Sequence, residues 1–293
     1  MGRVQTYAAL NCAVNPQTCR ERIAAYQPIL KKKRVLIVGG GVAGCEAARV
    51  LATRGHEPVL YEKSETLGGH LIPGGAPDFK HDDIALMNWY THQLETLGVA
   101  VHLNTPVDEP FVLSTPFDAV IMATGSKPNT ISLGDDTRVF TAEQVLLKQK
   151  EPGPCTVVMG GGLIGCETAL WMARQGKTVT IVEQMDAILS VNGPLCHANS
   201  DMLEALIPYN GIDIKTNACV TSFENGMLTL ATNGEESRMP CDSVILAVGY
   251  HSDKTLYEKI RFKVPNTWVL GDARRVSNIM YAIWDAFEVA NGI

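Results

Sequence analysis

Two stretches of this chain share one pattern of apolar and polar positions. The first is VLIVGGGVAGCEAARVLATRGHEPVLYEK (35–63), and the second, 121 residues later, is TVVMGGGLIGCETALWMARQGKTVTIVEQ (156–184). Each begins with an apolar strand and continues through a glycine turn into a helix whose apolar residues recur every three or four positions. That spacing places one apolar helix face against a sheet. With a glycine after each helix (Gly55 and Gly176) and a second apolar strand ending in Glu, the pattern predicts two βαβ units.

The repeat predicts the fold class, which is α/β with two Rossmann-like dinucleotide-binding domains. A chain of 293 residues is long enough for two domains of ordinary size. The stretch KQKEPGPC (148–155) has the Pro and Gly content of a crossover between them.

The glycines of each turn have separate mechanical roles. Gly39 is predicted to make the tight turn out of the strand, Gly41 to let a pyrophosphate approach the backbone, and Gly44 to let helix and strand pack closely. The start of the helix then presents unpaired N–H groups and a positive dipole end to the phosphates. Three glycines repeat this in the second copy: Gly160, Gly162 and Gly165. A single GxGxxG is a weak signal, but two in the same strand–turn–helix context predict two dinucleotide sites.

An acid follows each glycine turn at the same distance. Glu62 and Glu183 each lie 23 residues after the first glycine of their copy, at the end of the second strand, where a carboxylate accepts hydrogen bonds from ribose hydroxyls. A carboxylate at Glu183 repels the 2′-phosphate of NADPH, and the next residues, Gln184 and Met185, provide no Arg to receive it. The second site is therefore predicted to prefer NADH.

Several motifs accompany only the first copy. LGG (67–69) follows Glu62, the turn Ala123-Thr124-Gly125 follows a strand, and Gly271-Asp272 follows another near the C-terminus. An exposed backbone turn and an acid after a strand suit a cofactor longer than NAD, with a ribitol chain to hold. The second copy has only a weaker echo, AVG (247–249).

The order GxGxxG, Glu, LGG, ATG, GxGxxG, Glu, AVG, GD resembles the two-dinucleotide flavoproteins over nearly the whole chain. The resemblance implies that the first site binds FAD and that an inserted middle domain binds the nicotinamide dinucleotide. It also implies that Asp272 bonds the flavin ribitol, that the helix from Asn278 points its N-terminus at the flavin, and that the Val107 backbone contacts adenine. We expect an FAD domain over 30–146 plus 265–293, an NAD domain over 147–264, and an N-terminal arm over 1–29.

A closer resemblance begins in the arm. NCAVNPQTCRERI (11–23) is similar to the region between barrel and FAD domain in 2-enoate reductases, 2,4-dienoyl-CoA reductases and trimethylamine dehydrogenase. APDFKHDD and GDARRVSNIMYAIWDAFEVAN look most like the enoate-reductase branch. In that family an FMN-bearing TIM barrel and a four-cysteine 4Fe–4S motif come first. Cys12 matches the fourth cysteine, with eleven residues before it, so it is implied to be a metal ligand only in an intact parent. We expect this chain to be a C-terminal portion of such an enzyme.

The resemblance implies an NADH-dependent FAD oxidoreductase that passes electrons to an acceptor domain, the FMN barrel with its iron–sulfur cluster, in cis or in trans. Two alternatives stay open: a stand-alone NADH-dependent flavin or ferredoxin-type reductase, and a non-redox module that binds ADP. Disulfide reduction is disfavoured because no CxxC occurs and the flavin-side loop LGGHLIPGGAPDFK lacks cysteine.

The motifs and the resemblance together predict the cofactor-binding residues. For FAD these are Gly39, Gly41, Val42, Ala43, Gly44, Glu62, Lys63, Gly69, His70, Leu71, Val107, Ala123, Thr124, Gly125, Gly271, Asp272, Asn278 and Ile279. For NADH they are Gly160, Gly162, Leu163, Ile164, Gly165, Glu183 and Gly249. No side chain is predicted to be catalytic, because the cofactors carry the chemistry while the protein supplies position and electrostatics.

Other residues of the turns admit a structural explanation. Cys45 and Cys166 occupy the same helix position in both copies, which favours packing. Glu46 and Glu167 follow them as first-turn carboxylates favoured by the helix dipole, although the second lies near the nicotinamide in some flavoproteins. His70 is either a flavin contact or an ordinary loop histidine.

Composition narrows the partners and the compartment. The formal net charge of −6 disfavours nucleic acid and anionic membranes, which reward clustered Lys and Arg. No apolar stretch approaches the ~18 residues of a membrane span, and the start MGRVQTYAAL is not typical of a signal peptide. Eight cysteines without a CxxC pair favour reduced thiols in a cytoplasmic protein.

Overall fold

The structure is a computed structural model and describes residues 10–134, 136–190, 196–232 and 234–293. Its strands, in chain order, are β1 (Arg34–Val38), β2 (Glu57–Tyr61), β3 (Ala100–His102), β4 (Ala119–Met122), β5 (Ser126–Pro128), β6 (Val139–Thr141), β7 (Cys155–Met159), β8 (Thr178–Val182), β9 (Asp213–Lys215), β10 (Ala218–Glu224), β11 (Met227–Thr232), β12 (Glu235–Pro240), β13 (Ser243–Leu246), β14 (Tyr250–Ser252) and β15 (Thr267–Val269). Its α-helices are α1 (Val42–Arg54), α2 (Leu71–Gly74), α3 (His81–Thr96), α4 (Glu109–Ser114), α5 (Ala142–Leu146), α6 (Leu163–Arg174), α7 (His197–Tyr209), α8 (Thr255–Ile260) and α9 (Ile279–Gly292).

The described chain divides into two compact units. The first unit contains 10–72, Asp82–Lys127 and His251–Ile293, and the second contains Pro73–His81 and Pro128–Tyr250. The chain thus enters the second unit at Pro128, before the predicted boundary at 147, so that β6 and its helix α5 belong to this unit. It returns to the first unit at His251, before the predicted boundary at 265. The two strands at the crossings, β5 and β14, form a two-stranded sheet.

The first unit is built on a parallel sheet of order β15-β4-β1-β2-β3. Its central strands β1 and β4 are almost entirely buried, as expected for a parallel sheet covered by helices on both faces. Helices α1 and α9 pack on one face, around Leu51, Tyr90 and Phe287. The arm joins this unit through Ala24 in the core, through the Gln27 N–H, which donates to Asn291 Oδ1 at 3.0 Å, and through Trp284 Nε1, which donates to the Cys12 carbonyl at 3.0 Å.

The second unit repeats this plan with a parallel sheet of order β6-β13-β7-β8-β9. Helix α6 covers one face with Ala169, Leu170 and Met172. The other face packs against a three-stranded antiparallel sheet, β10-β11-β12, whose Phe223 and Leu228 are fully buried.

The two parallel sheets correspond strand for strand, with one difference in chain order. Both run outward from a central strand that leads into a glycine turn, β1 in the first unit and β7 in the second. The outermost strand next to β4 is β15, which comes late in the chain, whereas the strand next to β13 is β6, which comes before β7. Each glycine turn therefore lies at the carboxyl end of a central strand, where open α/β sheets bind their ligands.

Candidate functional site

The first glycine turn leaves no room for a side chain at two of the three glycines of its GxGxxG motif, Gly39 and Gly44. Gly39 has φ +109°, and a Cβ built there lies 2.3 Å from the Ala123 carbonyl oxygen. A Cβ on Gly44 lies 1.9 Å from the Gly39 carbonyl oxygen. The left-handed conformation of Gly39 and the close approach of the first turn of α1 to that carbonyl both require glycine. These contacts give the spacing of Gly39 and Gly44 its physical reason.

Gly41 differs, because among the described residues a Cβ at this position has space around it. Its φ of −74° is open to any residue, and a Cβ there meets only the Gly69 Cα, at 4.0 Å. Gly41 is the N-cap of α1, and no side chain caps this helix end. The first N–H groups of α1, on Val42, Ala43 and Gly44, are therefore available to a phosphate, as helix N-termini commonly are.

The LGG segment lies directly against this turn. Gly41 and Gly68 form an isolated parallel bridge, and the Gly68 N–H donates to the Gly40 carbonyl at 2.9 Å. A Cβ on Gly69 lies 3.2 Å from the Gly41 Cα, so a side chain there closes the open face. Beyond it, His70 is exposed and Leu71 is buried. The LGG segment therefore forms a second side of the predicted pyrophosphate site, and this side too is lined by glycine.

The acid of the first copy is held by backbone N–H groups. Glu62 is buried, its Oε2 accepts the Gly40 N–H at 2.6 Å, and its Oε1 accepts the Ser64 N–H at 2.8 Å. An ionised carboxylate has about four lone-pair sites, so two remain for ribose hydroxyls. The neighbouring Lys63 is exposed. The carboxylate is therefore fixed beside the turn and keeps acceptor capacity.

The second turn repeats this geometry atom by atom. Gly160 has φ +107° with a Cβ position 2.5 Å from the Ala247 carbonyl oxygen, and a Cβ on Gly165 lies 1.9 Å from the Gly160 carbonyl oxygen. Gly162 is the N-cap of α6, again without a side-chain cap, and Leu163 and Ile164 form its first turn. Ile164 is 39% exposed, which leaves an apolar side chain beside the predicted nucleotide.

Glu183 has the same two backbone contacts as Glu62. Its Oε2 accepts the Gly161 N–H at 2.6 Å, and its Oε1 accepts the Met185 N–H at 2.8 Å. Gly249 in the AVG echo has φ +87° and is exposed, with the Asn129 side chain as the nearest group to a Cβ. In both copies, the acid at the end of the second strand is thus held by two backbone N–H groups.

The ATG turn of the first unit is largely buried, not exposed as predicted. Ala123 is buried, Thr124 and Gly125 are half-buried, and the Thr124 hydroxyl donates to the Asp253 carbonyl at 2.7 Å. Burial follows from the role of Ala123, whose carbonyl packs on Gly39. Gly125 has φ +74° with no protein atom within 4 Å of a Cβ position, so its α-carbon borders open space.

Asp272 is positioned by its neighbours beside this turn. Its Oδ2 accepts a hydrogen bond from the buried Ser126 hydroxyl at 3.1 Å, and its Oδ1 accepts the Ser277 N–H at 3.0 Å. The preceding Gly271 has φ +54° and donates its N–H to Asp285 Oδ2 at 3.0 Å. Sequence analysis did not find Ser126, since no local signal links it to a residue so far along the chain.

Two further predicted contacts lie in the first unit. Asn278 is the N-cap of α9, where its side chain accepts the Tyr281 N–H at 3.1 Å, and Ile279 begins the helix. Val107 is half-buried and packs against the apolar cluster on the far face of the sheet. The ligand assignments of all these residues stay predictions.

The cysteines and acids that follow the glycines have structural partners. Cys45 and Cys166 are buried and point their thiols at the Gly40 and Gly161 carbonyls, at 3.3 and 3.4 Å. Burial raises the pKa of Cys45 well above its usual range and that of Cys166 to about 12, so both stay protonated packing residues.

Glu46 forms a two-point ion pair with Arg49, with distances of 2.8 and 2.9 Å, and Glu167 pairs with Lys80 at 3.0 Å. Burial lowers the pKa of Arg49, but the hydrogen bonds and charge of Glu46 outweigh it and raise that pKa. The prediction that the two acids are first-turn carboxylates is wrong, because the first turns of α1 and α6 contain no acidic residue, and ion pairs hold both acids instead.

The arm does not supply a metal site within the described residues. Cys12 is half-buried, with its carbonyl bonded to Trp284, and no three His, Cys, Asp or Glu in the described ranges are grouped to hold a metal ion. The residues present do not fit an iron–sulfur cluster, so the role of Cys12 in an intact parent stays a prediction. Across the same ranges, no helix has both the length and the apolar character that a membrane crossing requires.

Known proteins similar to this chain include reductases and an oxidase. The chain is 50% identical over its full length to cinnamate reductase of Clostridium sporogenes and covers 44% of it. It is 34% identical to NADH oxidase of Thermoanaerobacter brockii, over 99% of this chain and 45% of that protein. The solved 2-naphthoyl-CoA reductase complex superposes with a TM-score of 0.92 at 29% identity, over 99% of this chain and 44% of that one.

These similarities confirm the resemblance to the enoate-reductase branch and the α/β fold with two Rossmann-like sheets. The chain spans about half the length of the curated relatives it matches. The family model for pyridine nucleotide-disulphide oxidoreductases matches residues 33–287, which include both glycine turns. This chain is accordingly an oxidoreductase that belongs to the pyridine nucleotide-disulphide oxidoreductase family.

Proposed function

We propose that the first unit binds FAD, that the second binds NADH, and that the chain passes electrons from NADH through FAD to an acceptor domain of the enoate-reductase kind. One observation carries this assignment. The glycine turn and the carboxylate bound to its backbone N–H occur in both units, but among the described residues an open glycine turn beside a positioned acid, Gly125 with Asp272, is found in the first unit and not in the second. The longer cofactor belongs where the additional elements are.

On the first unit the chain's residues bind and orient. Gly41 leaves the phosphate approach open, the first N–H groups of α1 stabilise the negative charge, and Glu62 takes the ribose hydroxyls. Asp272, held by two hydrogen bonds, accepts from the ribitol chain. FAD, when bound, supplies the hydride acceptance and electron release, so no acid–base side chain is required.

In the second unit, the glycine turn and the carboxylate of Glu183 select NADH. Both oxygens of Glu183 are fixed by backbone N–H groups, so the carboxylate stays in place when a ligand arrives. A fixed negative charge accepts from a ribose 2′-OH and repels a 2′-phosphate. Gln184 and Met185, which follow it, are exposed and bring no compensating cation.

The proposal extends to the whole protein by similarity. Half of all positions are identical to cinnamate reductase, so we assign to the intact protein the reduction of an α,β-unsaturated carboxylate. Its FMN and iron–sulfur acceptor acts in cis or in trans. Because NADH is supplied in the cytoplasm, we place the protein there.

A reconstitution experiment tests the assignment. The purified chain is incubated with FAD, FMN or ADP, washed, denatured, and the released nucleotide is identified. We expect FAD, a flavin absorption spectrum, bleaching by NADH under anaerobic conditions, and reduction of ferricyanide. We expect no enoate reduction by this chain alone. Release of ADP or FMN with no FAD contradicts the proposal and identifies a non-redox or different module.

A further inference from the structure

A recess in the second unit lies outside the nucleotide turns. It measures about 240 Å³ and is lined by Arg138, Cys155, Gly226, Pro240, Cys241 and Asp242. Cys155 is the first residue of β7, and the glycine turn follows the last one. At about 3.3 Å per residue the recess is roughly 16 Å from Gly160. The recess is therefore at the amino end of β7, whereas the predicted NADH site is at its carboxyl end.

The two cysteines of this recess are held next to each other. Cys155 contacts the residue on either side of Cys241: its Sγ is 3.8 Å from the Pro240 carbonyl oxygen, and its own carbonyl accepts the Asp242 N–H at 2.7 Å. A second bond joins the Cys155 N–H to Asp242 Oδ2 at 2.8 Å. These bonds pair Cys155 with Asp242 at the spacing of neighbouring strands, about 4.8 Å, so the Cα of Cys241, one residue away from Asp242, is roughly 6 Å from that of Cys155. Cα separations of this size are within the range that a disulfide spans.

The two thiols of the recess differ in their exposure to solvent. Cys155 is half-buried, whereas Cys241 is 4% exposed, and both pack in the apolar cluster around Val157 and Val244. Burial, and then the charges of Cys155 and Asp242, raise the pKa of Cys241 to about 11. An oxidant dissolved in the solvent therefore reacts first with Cys155, which is the more exposed of the two. Cys241 is buried and stays a protonated thiol at that stage.

We propose that Cys155 and Cys241 form an oxidisable thiol pair that closes to a disulfide when a hydroperoxide or a low-molecular-weight disulfide enters the recess. With hydrogen peroxide, the Cys155 thiolate attacks one oxygen, the O–O bond breaks, and hydroxide leaves as water, which makes Cys155 a sulfenic acid. The Cys241 sulfur then loses its proton, attacks the Cys155 sulfur, and displaces a second water. Two thiols are oxidised by two electrons, and one peroxide is reduced to two waters.

Peptide mapping under non-reducing conditions tests this pair in the full chain. Anaerobically purified protein is treated with hydrogen peroxide or glutathione disulfide, alkylated and digested. We expect a Cys155–Cys241 linked peptide that dithiothreitol reverses. Cys155→Ser and Cys241→Ser each abolish it, whereas Cys219→Ser, which removes an exposed cysteine on the neighbouring sheet, leaves it unchanged.

The single variants separate the two roles. In Cys241→Ser the oxidised Cys155 has no resolving thiol, so we expect it to accumulate as a mixed disulfide with glutathione. NADH–ferricyanide turnover should be unchanged in both variants, since the recess is remote from the glycine turn. The proposal is overturned if wild-type protein yields Cys155 adducts at the Cys219 level and no linked peptide. That result needs no variant, so misfolding of a mutant cannot obscure it.

Discussion

The Ser126 hydroxyl donates a hydrogen bond to Asp272 Oδ2 at 3.1 Å, joining positions 146 residues apart at the proposed ribitol site. We expect Ser126→Ala to weaken FAD binding about tenfold, because a hydrogen bond to a charged group contributes about 1.5 kcal/mol or more. FAD titration followed by flavin fluorescence measures it. Ser126→Thr should restore the affinity.

Ser243 provides the matched control for this variant. It is buried to a similar degree in the second unit, where its hydroxyl accepts the Gly153 N–H at 2.9 Å. Ser243→Ala should lower stability without changing FAD affinity. If Ser126→Ala and Ser243→Ala weakened FAD binding equally, Ser126 would have no specific role in positioning Asp272 for FAD.

Gly41→Ala separates cofactor binding from folding. The added methyl meets only the Gly69 Cα at 4.0 Å, and φ is −74°, so the free energy of unfolding of the apoprotein should change by less than about 1 kcal/mol. The same methyl occupies the proposed phosphate approach, so FAD affinity should fall at least a hundredfold, roughly 2.7 kcal/mol. Urea unfolding and FAD titration measure the two effects.

Gly44→Ala, in contrast to Gly41→Ala, should destabilise the apoprotein itself. Its methyl lies 1.9 Å from the Gly39 carbonyl oxygen, so the helix must shift and the apoprotein itself should lose several kcal/mol, about 3 or more by the cost of overpacking. If Gly41→Ala destabilises the apoprotein as much as Gly44→Ala does, the open face of Gly41 is not a ligand site.

Glu183→Gln should relax the preference for NADH. Glutamine retains one oxygen, which accepts either the Gly161 or the Met185 N–H and loses the other bond, while the negative charge that opposes a 2′-phosphate is removed. We expect the ratio of kcat/KM for NADH over NADPH to fall about tenfold, or about 1.4 kcal/mol. Stopped-flow flavin reduction gives both constants. Glu62→Gln, the equivalent change in the first unit, should affect FAD affinity and leave this ratio alone.

The buried Glu46–Arg49 pair should be worth far more than a surface pair. Glu46→Ala leaves the Arg49 guanidinium with the Tyr26 hydroxyl, at 3.1 Å, and the Trp89 ring but without an anionic partner, and should lower the free energy of unfolding by about 3 kcal/mol. Glu151→Ala breaks the Lys177–Glu151 pair, in which Glu151 is 81% exposed, and should cost no more than about 0.5 kcal/mol. Urea titration of both variants measures the difference, and similar losses would contradict it.

His56 should make stability fall in mild acid. Burial, and then the charges of Arg54 and Lys33, lower the pKa of His56, whose Nδ1 accepts the Lys33 N–H at 3.1 Å. The unfolded chain therefore binds a proton below about pH 6.5 before the folded chain does, so stability is full above that pH and declines as the pH drops toward the folded pKa. His56→Gln should flatten this decline between pH 7 and 5 in urea titrations. His92→Gln, on an exposed face of α3, should not.

Sequence spacing predicted what is local in this structure. The positive φ of Gly39 and the steric requirement at Gly44 follow from a strand that turns into a helix within six residues, and the pattern repeats at Gly160 and Gly165. The reason for glycine at the first position is only half local, since the carbonyl it must avoid belongs to Ala123, far along the chain.

What sequence analysis missed depends on such distant pairs. The Ser126–Asp272 bond, the Cys155–Cys241 recess and the pairing of β6 with β13 all join segments with no periodic relation to one another. The strand β6 has only three residues, so its apolar pattern was too short to move the expected boundary from 147. The antiparallel sheet β10-β11-β12 lacks the glycine-turn signature that identified the other strands.

The strand order of the two parallel sheets also bears on how the protein is made. As the chain leaves the ribosome, all the strands of the second unit's parallel sheet, from β6 to β13, emerge before β15 does, so this sheet is complete before that of the first unit. The sheet of the first unit is completed only by β15, and until then β4 pairs with β1 on one side and is an apolar edge strand on the other, which favours association with other chains. Translation that stalls or stops after β14 therefore leaves the inserted unit complete and the unit around it aggregation-prone. Of the two units, the one whose first strand comes earlier in this chain is the one completed later.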